Sequence, residues 1–201
     1  RTLAIGIIRK AKIKDLNIIF IQPVESLGSM LGALDFNRER AEEYINLGYY
    51  DAMKVFKKLK GFKYYCIPFE GNFINILTDF YNKYKERLCN IGRFLGYEDM
   101  CEDRMFFEKI IPRLESILDM KGKNDYQDIC IRFFERIAEK YGIERFKIYK
   151  AEEFVELTIE KFRENPTAFI KNVPNFIKQN RILSLAVKDD LIVEIFAELF
   201  L

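Results

Sequence analysis

Residues 16–52, LNIIFIQPVESLGSMLGALDFNRERAEEYINLGYYDA, carry the clearest fold signal of this 201-residue chain. Residues 16–22 are apolar and β-branched, which predicts a buried strand, and Pro23 ends it because proline has no backbone N–H to donate. The loop that follows, 24–34, is both apolar and glycine-bearing, so we expect it to pack against the protein or to line a cleft. The stretch therefore has the order strand, loop and helix.

The helix at the end of this stretch is predicted to span residues 38–60. Asn37 is a favourable N-cap residue, acidic side chains follow it, and lysines occupy the opposite end, as the helix dipole favours. Gly61 is the expected stop signal. Apolar residues recur at three- and four-residue spacing and form one face. Gly48 in mid-helix costs about 1 kcal/mol relative to alanine, so we expect another backbone to pack closely against it.

Three ordered segments of the stretch resemble the end of the catalytic domain in patatin-like phospholipases. They are IIFIQP (18–23), LDF (34–36) and INLGYYDA (45–52), which look like the family's final strand, the start of its closing helix and that helix itself. The stretch covers about a fifth of the chain. The resemblance implies that residues 1–68 complete the edge of an α/β hydrolase-type patatin domain. It also implies a parent enzyme that hydrolyses ester bonds of phospholipids or other acyl lipids through a Ser-Asp dyad, without a metal or cofactor.

The residues that perform this hydrolysis in the family have no counterpart in the chain. The family's nucleophile lies in Gly-x-Ser-x-Gly and its aspartate in Asp-Gly-Gly or Asp-Gly-Ala, whereas this sequence contains neither Asp-Gly nor Gly-Gly. Ser26 lacks the first glycine of the turn that exposes a nucleophile, and Ser29 has Leu27 and Leu31 at the two positions where the motif has glycine. Ser116 and Ser184 lie in helical patterns, and Asp35 is interpreted as an acceptor of amide hydrogen bonds. We therefore predict no catalytic residue here, a dyad that lies upstream of the chain, and no activity of the chain alone.

Composition excludes several kinds of chemistry. The chain contains no histidine, which rules out a Ser-His-Asp triad, a Cys-His pair and a His-ligated metal within it. Its four cysteines are widely spaced without Cys-x-x-Cys, which favours reduced cytosolic thiols over a disulfide framework or a zinc site. We accordingly predict no metal and no cofactor. The net charge of +2 does not indicate a nucleic-acid partner. A composition rich in Ile, Lys, Asn, Phe and Tyr favours a bacterial source.

Neither a signal peptide nor a membrane span is predicted, since no leader-like segment and no apolar run of about 20 residues is present. The chain starts with Arg1 inside an apolar run, which predicts a piece of a longer protein. We expect a cytoplasmic protein whose partner is the upstream catalytic domain. The basic and aromatic segment 54–65 has two interpretations: peripheral contact with phospholipid at a membrane surface, or a lysine-rich helix end before an edge strand. The second is favoured.

Beyond residue 68 the pattern becomes mainly helical, which predicts a boundary near Pro68 and Gly71 and a helical module over residues 69–201. Short strands are expected at 62–67 and 146–149, and Pro112 is expected to kink or split a helix. The helices are predicted at 72–88, 103–118, 125–141, 151–164, 167–179 and 189–201. Their aromatic residues are more simply explained as core than as a lipid-binding groove.

The predicted fold class is α+β and mostly α-helical: a small β element and a closing helix complete a patatin domain, and an all-helical C-terminal module follows. The first functional hypothesis is the C-terminal, non-catalytic portion of a patatin-like phospholipase, an enzyme of lipid degradation. The alternative is a non-enzymatic helical interaction or scaffolding domain with no relation to lipases.

Overall fold

The computed structural model describes residues 19, 21, 23, 24, 37–97, 102–120, 122–166 and 185–201. Within these ranges the chain is mostly helical with one two-stranded parallel sheet, which confirms the α+β, mostly α-helical class. Several predicted elements lie outside the described residues. They are a further strand predicted from the apolar, β-branched residues 2–10, nearly all of the strand 16–22, the loop 24–34 except Val24, and the helix 167–179.

Helix α1 (Arg38–Lys57) begins as predicted but ends earlier than residue 60. The Asn37 side chain accepts hydrogen bonds from the amides of Glu39 and Arg40 in the first turn of the helix, which confirms Asn37 as the N-cap. Lys58 ends the helix in a left-handed conformation, φ 52°, in place of the expected Gly61. A Cβ built at Gly48 meets no described atom within 4 Å, so the described residues provide no close backbone contact at this position.

Helix α2 (Phe73–Phe94) is longer than predicted, because Gly92 does not break it. Gly92 instead gives room to a neighbouring helix, since a Cβ at this position would collide with the Met105 sulfur. Gly96 then takes a positive φ of 86° after the helix ends. Among the described residues, a close approach at a mid-helix glycine is thus found in α2.

The segment around Pro112 contains three helical pieces, which confirms the predicted irregularity. Helix α3 (Glu102–Met105) leads into a π-helical turn (Phe106–Ile110), and helix α4 (Ile111–Ile117) follows. The Ile111 amide donates to the Phe106 carbonyl, five residues back. Pro112 has no N–H for the helical ladder and its ring would clash with the carbonyl one turn earlier, so the chain widens ahead of it.

Three further helices enclose the core. Helix α5 (Tyr126–Lys140) starts with a capping box formed by Asp125 and Asp128, helix α6 (Ala151–Glu164) matches its predicted span, and helix α7 (Leu185–Phe200) begins earlier than predicted. Phe196 of α7 is fully buried. Its ring lies between 4.5 and 5.5 Å from four others, those of Phe133, Phe134, Phe162 and Phe200. This aromatic cluster joins α5, α6 and α7.

The sheet consists of strand β1 (Tyr65–Ile67) and strand β2 (Ile148–Lys150), which pair in parallel with Cys66 opposite Tyr149. Strand β2 confirms the short strand expected at 146–149. The part of the chain after residue 68 is therefore not all helical. Tyr149 is buried and packs against Phe154 at 5.4 Å, which explains why this short segment is extended and anchored. The sheet joins residues on both sides of the predicted boundary near residue 68.

One carboxylate holds the turn that precedes β1. The amides of Phe62, Lys63 and Tyr64 donate to Oε1 of Glu135 at 2.6, 3.0 and 2.8 Å. Arg132 donates to its Oε2 at 2.9 Å. Burial raises the pKa of Glu135, and these hydrogen bonds and the Arg132 charge oppose that rise. Because both oxygens are bonded to the protein, Glu135 ties α5 to the turn before β1.

Candidate apolar binding site

A cavity of about 360 Å³ lies between α2, the π turn, α4, α5, α6 and α7. Small-molecule sites commonly have volumes of about 300–1,000 Å³, and an apolar cavity of roughly 150 Å³ is enough to bind benzene. The cavity therefore has room for a ligand larger than one ring. Hydrocarbon side chains form most of its wall, among them Phe73, Phe80, Leu88, Ile110, Phe133 and Phe200.

Irregular helix geometry shapes this wall. Helix α2 is kinked at Tyr84, whose φ of −114° and ψ of 21° are not helical, and no proline or glycine lies beside it to explain the bend. The Tyr84 ring packs against Phe80 at 4.8 Å and Phe200 at 5.8 Å. The π turn contributes Phe106 and Ile110. Such irregular turns are frequent at functional sites.

The end of α7 that contributes to the wall is fixed by two arginines. Arg87 Nη1 donates to the Leu199 carbonyl at 2.9 Å, and Arg163 Nε donates to the Phe200 carbonyl at 3.0 Å. The last carbonyls of a helix have no partner within that helix, so these bonds satisfy groups that would otherwise need water. Leu199 and Phe200 both line the cavity, and α2 and α6 thus hold them in place.

Polar groups are confined to one side of the cavity. Asp79 and Lys83 line it and are exposed, so they mark where it meets solvent. The Lys83 ammonium lies 5.2 Å from the centre of the Tyr84 ring. Among the described residues, neither charge has an ion-pair partner. The hydroxyls of Tyr84 and Tyr126 likewise have no hydrogen bond within the described parts of the chain.

Cys130 also lines the cavity, but its surroundings disfavour the reactive thiolate. Burial raises the pKa of its thiol to about 12, so the thiol is neutral at physiological pH. The described residues of the lining include no serine or threonine, and the sequence contains no histidine. In the portion of the chain that the structure describes, no three Cys, Asp or Glu side chains are grouped to hold a metal ion. The arrangement is therefore suited to holding an apolar chain and not to covalent chemistry.

A second cleft, of about 620 Å³, is larger but less suited to a ligand. It lies beside Lys60, Asp128 and Arg132, and these charges are already used. Lys60 pairs with Asp128 at 2.9 Å, and Arg132 pairs with Glu135 at 2.9 Å. Since its charges are neutralised by the protein itself, we assign the candidate site to the apolar cavity.

Of the four serines considered above as nucleophiles, one lies within the described residues. Ser26, Ser29, Ser184 and Asp35 lie outside the described residues. Ser116 is exposed on α4 and does not line the cavity. The absence of a catalytic residue from the chain stays a prediction.

The basic and aromatic segment 54–65 is largely engaged with the protein. Lys54 donates to the Gly61 carbonyl, and burial lowers the pKa of its ammonium. Lys60 pairs with Asp125 at 2.6 Å, and Lys63 pairs with Glu139 at 2.7 Å. These contacts favour the interpretation of the segment as a helix end and turn.

Sequence reasoning missed Asp79, Lys83 and Cys130 as lining residues. The first two lie one turn apart on α2, at the border of its apolar face, which is the signal that was available. Cys130 gave no signal beyond its place in an apolar helical pattern.

Comparison with known protein families, with curated proteins and with solved structures found no match to this chain. Among the helices of the described ranges, none is long and apolar enough to cross a membrane.

Proposed function

We propose that this chain is the non-catalytic, acyl-chain-binding portion of a patatin-like lipid acyl hydrolase. The observation that carries the proposal is the apolar cavity, whose charged groups lie only where it meets solvent. An acyl chain is the lipid part that such a space accommodates, since each buried methylene contributes about 0.8 kcal/mol. In the parent enzyme the module holds or shields one chain of a lipid, while the Ser-Asp dyad upstream cleaves the ester.

The resemblance of residues 18–52 to the end of a patatin domain supports this assignment. The segment 45–52 lies on α1, where that resemblance requires a helix. A cytoplasmic enzyme of this kind meets its substrate at a membrane surface. The exposed Phe56 side chain, followed by Lys57 and Lys58, is suited to peripheral contact with anionic phospholipid.

A non-enzymatic interaction domain is the second candidate, and one observation favours it. Helix α1 exposes 70% of Ile45 and 57% of Tyr49, which is typical of a surface that binds protein. The coding sequence upstream of residue 1 separates the two. Gly-x-Ser-x-Gly followed by Asp-Gly-Gly or Asp-Gly-Ala establishes the hydrolase, and a start codon directly before Arg1 favours the interaction domain.

Acyl-chain binding is tested by filling the cavity. Val155→Phe adds a ring to the cavity wall, whereas Val55→Phe makes the same change on the exposed side of α1. We expect a fluorescent fatty-acid analogue to bind the unmodified 201-residue chain and the Val55→Phe variant alike. The Val155→Phe variant is expected to bind at least about tenfold more weakly, because about two buried methylenes account for that factor.

Thiol labelling gives a readout that does not depend on a variant. Cys130 lines the cavity, whereas Cys89 does not, so bound dodecanoate is expected to slow alkylation of Cys130 alone, as mapped by peptide mass. Equal protection of both thiols, or binding that is unchanged in a folded Val155→Phe variant, contradicts a ligand in this cavity.

A further inference from the structure

The charged residues at the open side of the cavity indicate which head group a ligand would have there. Lys83 and Asp79 are one helical turn apart, yet they form no ion pair with each other or with any other described residue. Both are exposed and both line the cavity. Lys83 thus offers an exposed ammonium beside an apolar wall, and an anion bound at that point gains a charge-assisted hydrogen bond.

We propose that the ligand is a long-chain carboxylic acid in its ionised form, bound with its chain in the cavity and its carboxylate at the Lys83 ammonium. This inference rests on the proposed acyl-chain binding and adds the class of the head group. The kink of α2 at Tyr84 supports it, because the bend falls beside Lys83, where the cavity opens. The Tyr84 ring lies 5.2 Å from the Lys83 ammonium, so the Tyr84 hydroxyl, which has no partner among the described residues, is a further donor near this ammonium.

Asp79 distinguishes a carboxylate from a phosphate monoester. Lys83 offers one ammonium, which matches the single negative charge of a carboxylate, and the Asp79 carboxylate on the same helix repels any anion in proportion to its charge. A phosphate monoester carries close to two negative charges at neutral pH and meets stronger repulsion from the Asp79 carboxylate. The opening therefore favours a fatty acid over the phosphorylated head of a lysolipid.

The experiment uses three ligands with the same chain and different heads: dodecanoate, dodecanol and dodecyl phosphate. Dissociation constants are measured at pH 8 and low salt for the full 201-residue chain and for Lys83→Met. The control is Lys85→Met, which removes the same charge from the same helix outside the cavity lining. The methionine keeps most of the apolar stem of the lysine, so both variants are expected to fold.

We expect the unmodified chain to bind dodecanoate about three- to tenfold more tightly than dodecanol. This factor corresponds to a binding free energy between that of an exposed ion pair and that of a buried hydrogen bond to a charged group. Lys83→Met is expected to remove this preference without changing the affinity for dodecanol. Lys85→Met is expected to leave both affinities unchanged. In Asp79→Asn, the affinity for dodecyl phosphate is expected to rise more than that for dodecanoate.

Each other outcome has a separate meaning. Equal affinity for dodecanoate and dodecanol, unaffected by Lys83→Met, overturns the carboxylate assignment and leaves acyl-chain binding intact. Tighter binding of dodecyl phosphate than of dodecanoate to the unmodified chain also overturns it, in favour of a phosphorylated head. If none of the three ligands binds, the proposed function itself is wrong.

Discussion

The turn before β1 depends on one residue with no side chain. Gly61 has a φ of +103°, which L-residues rarely adopt. A Cβ at this position would collide with the Tyr64 carbonyl and would lie 2.8 Å from Oε1 of Glu135. The substitution of Gly61 therefore disturbs both the backbone conformation and the carboxylate that accepts three amides. From the sequence alone, Gly61 is interpreted as the stop signal of α1. Its role in the structure depends on Glu135 of α5, which is distant along the chain.

We predict that Gly61→Ala destabilises the protein more than a matched Gly71→Ala. Gly71 also has a positive φ, 82°, but no described atom lies within 4 Å of a Cβ built there. Gly71→Ala should therefore cost only the backbone conformation, about 1–2 kcal/mol. Gly61→Ala should cost roughly 3 kcal/mol or more, because displacing a buried, paired carboxylate is itself expensive. Urea unfolding measures both, and equal losses would show that Glu135 does not depend on the shape of the turn.

At the scale of the helices, the two mid-helix glycines have opposite environments. No described atom lies within 4 Å of a Cβ built at Gly48 of α1, whereas the side of Gly92 in α2 is filled by the buried Met105. The sequence pattern predicts close packing at Gly48 and a break in the helical pattern at Gly92. What separates them is the neighbour that each helix has in three dimensions, and α3 brings Met105 onto α2.

We predict that alanine at these two glycines changes stability in opposite directions. Gly48→Ala should raise the free energy of unfolding by up to about 1 kcal/mol, the gain in helix propensity. Gly92→Ala should lower it by about 1–3 kcal/mol, because Met105 must move from a close-packed position. Thermal and urea unfolding provide the values. The double variant Gly92→Ala/Met105→Ala should show favourable coupling, and additive losses would mean that the two residues do not interact.

At the scale of the whole molecule, local features can be predicted from the sequence, but the cavity between the helices cannot. Asn37 and the helix 151–164 were predicted from capping and periodicity, which are local properties. The cavity is not local: it depends on the kink at Tyr84, the π turn ahead of Pro112 and the arginines that hold the end of α7. The aromatic residues of these helices look the same in sequence whether they fill a core completely or leave a cavity.

The last prediction concerns the catalytic capacity of the chain as a whole. Histidine is absent from the sequence, Cys130 carries a neutral thiol, and the described residues of the cavity lining include no serine. We therefore expect the isolated 201-residue chain to hydrolyse short p-nitrophenyl esters no faster than buffer, although it binds dodecanoate. Binding provides the control, since it shows that the inactive protein is folded. Reproducible turnover that disappears in Ser26→Ala or Ser29→Ala would place a nucleophile in the loop 24–34 and overturn the assignment of the chemistry to an upstream domain.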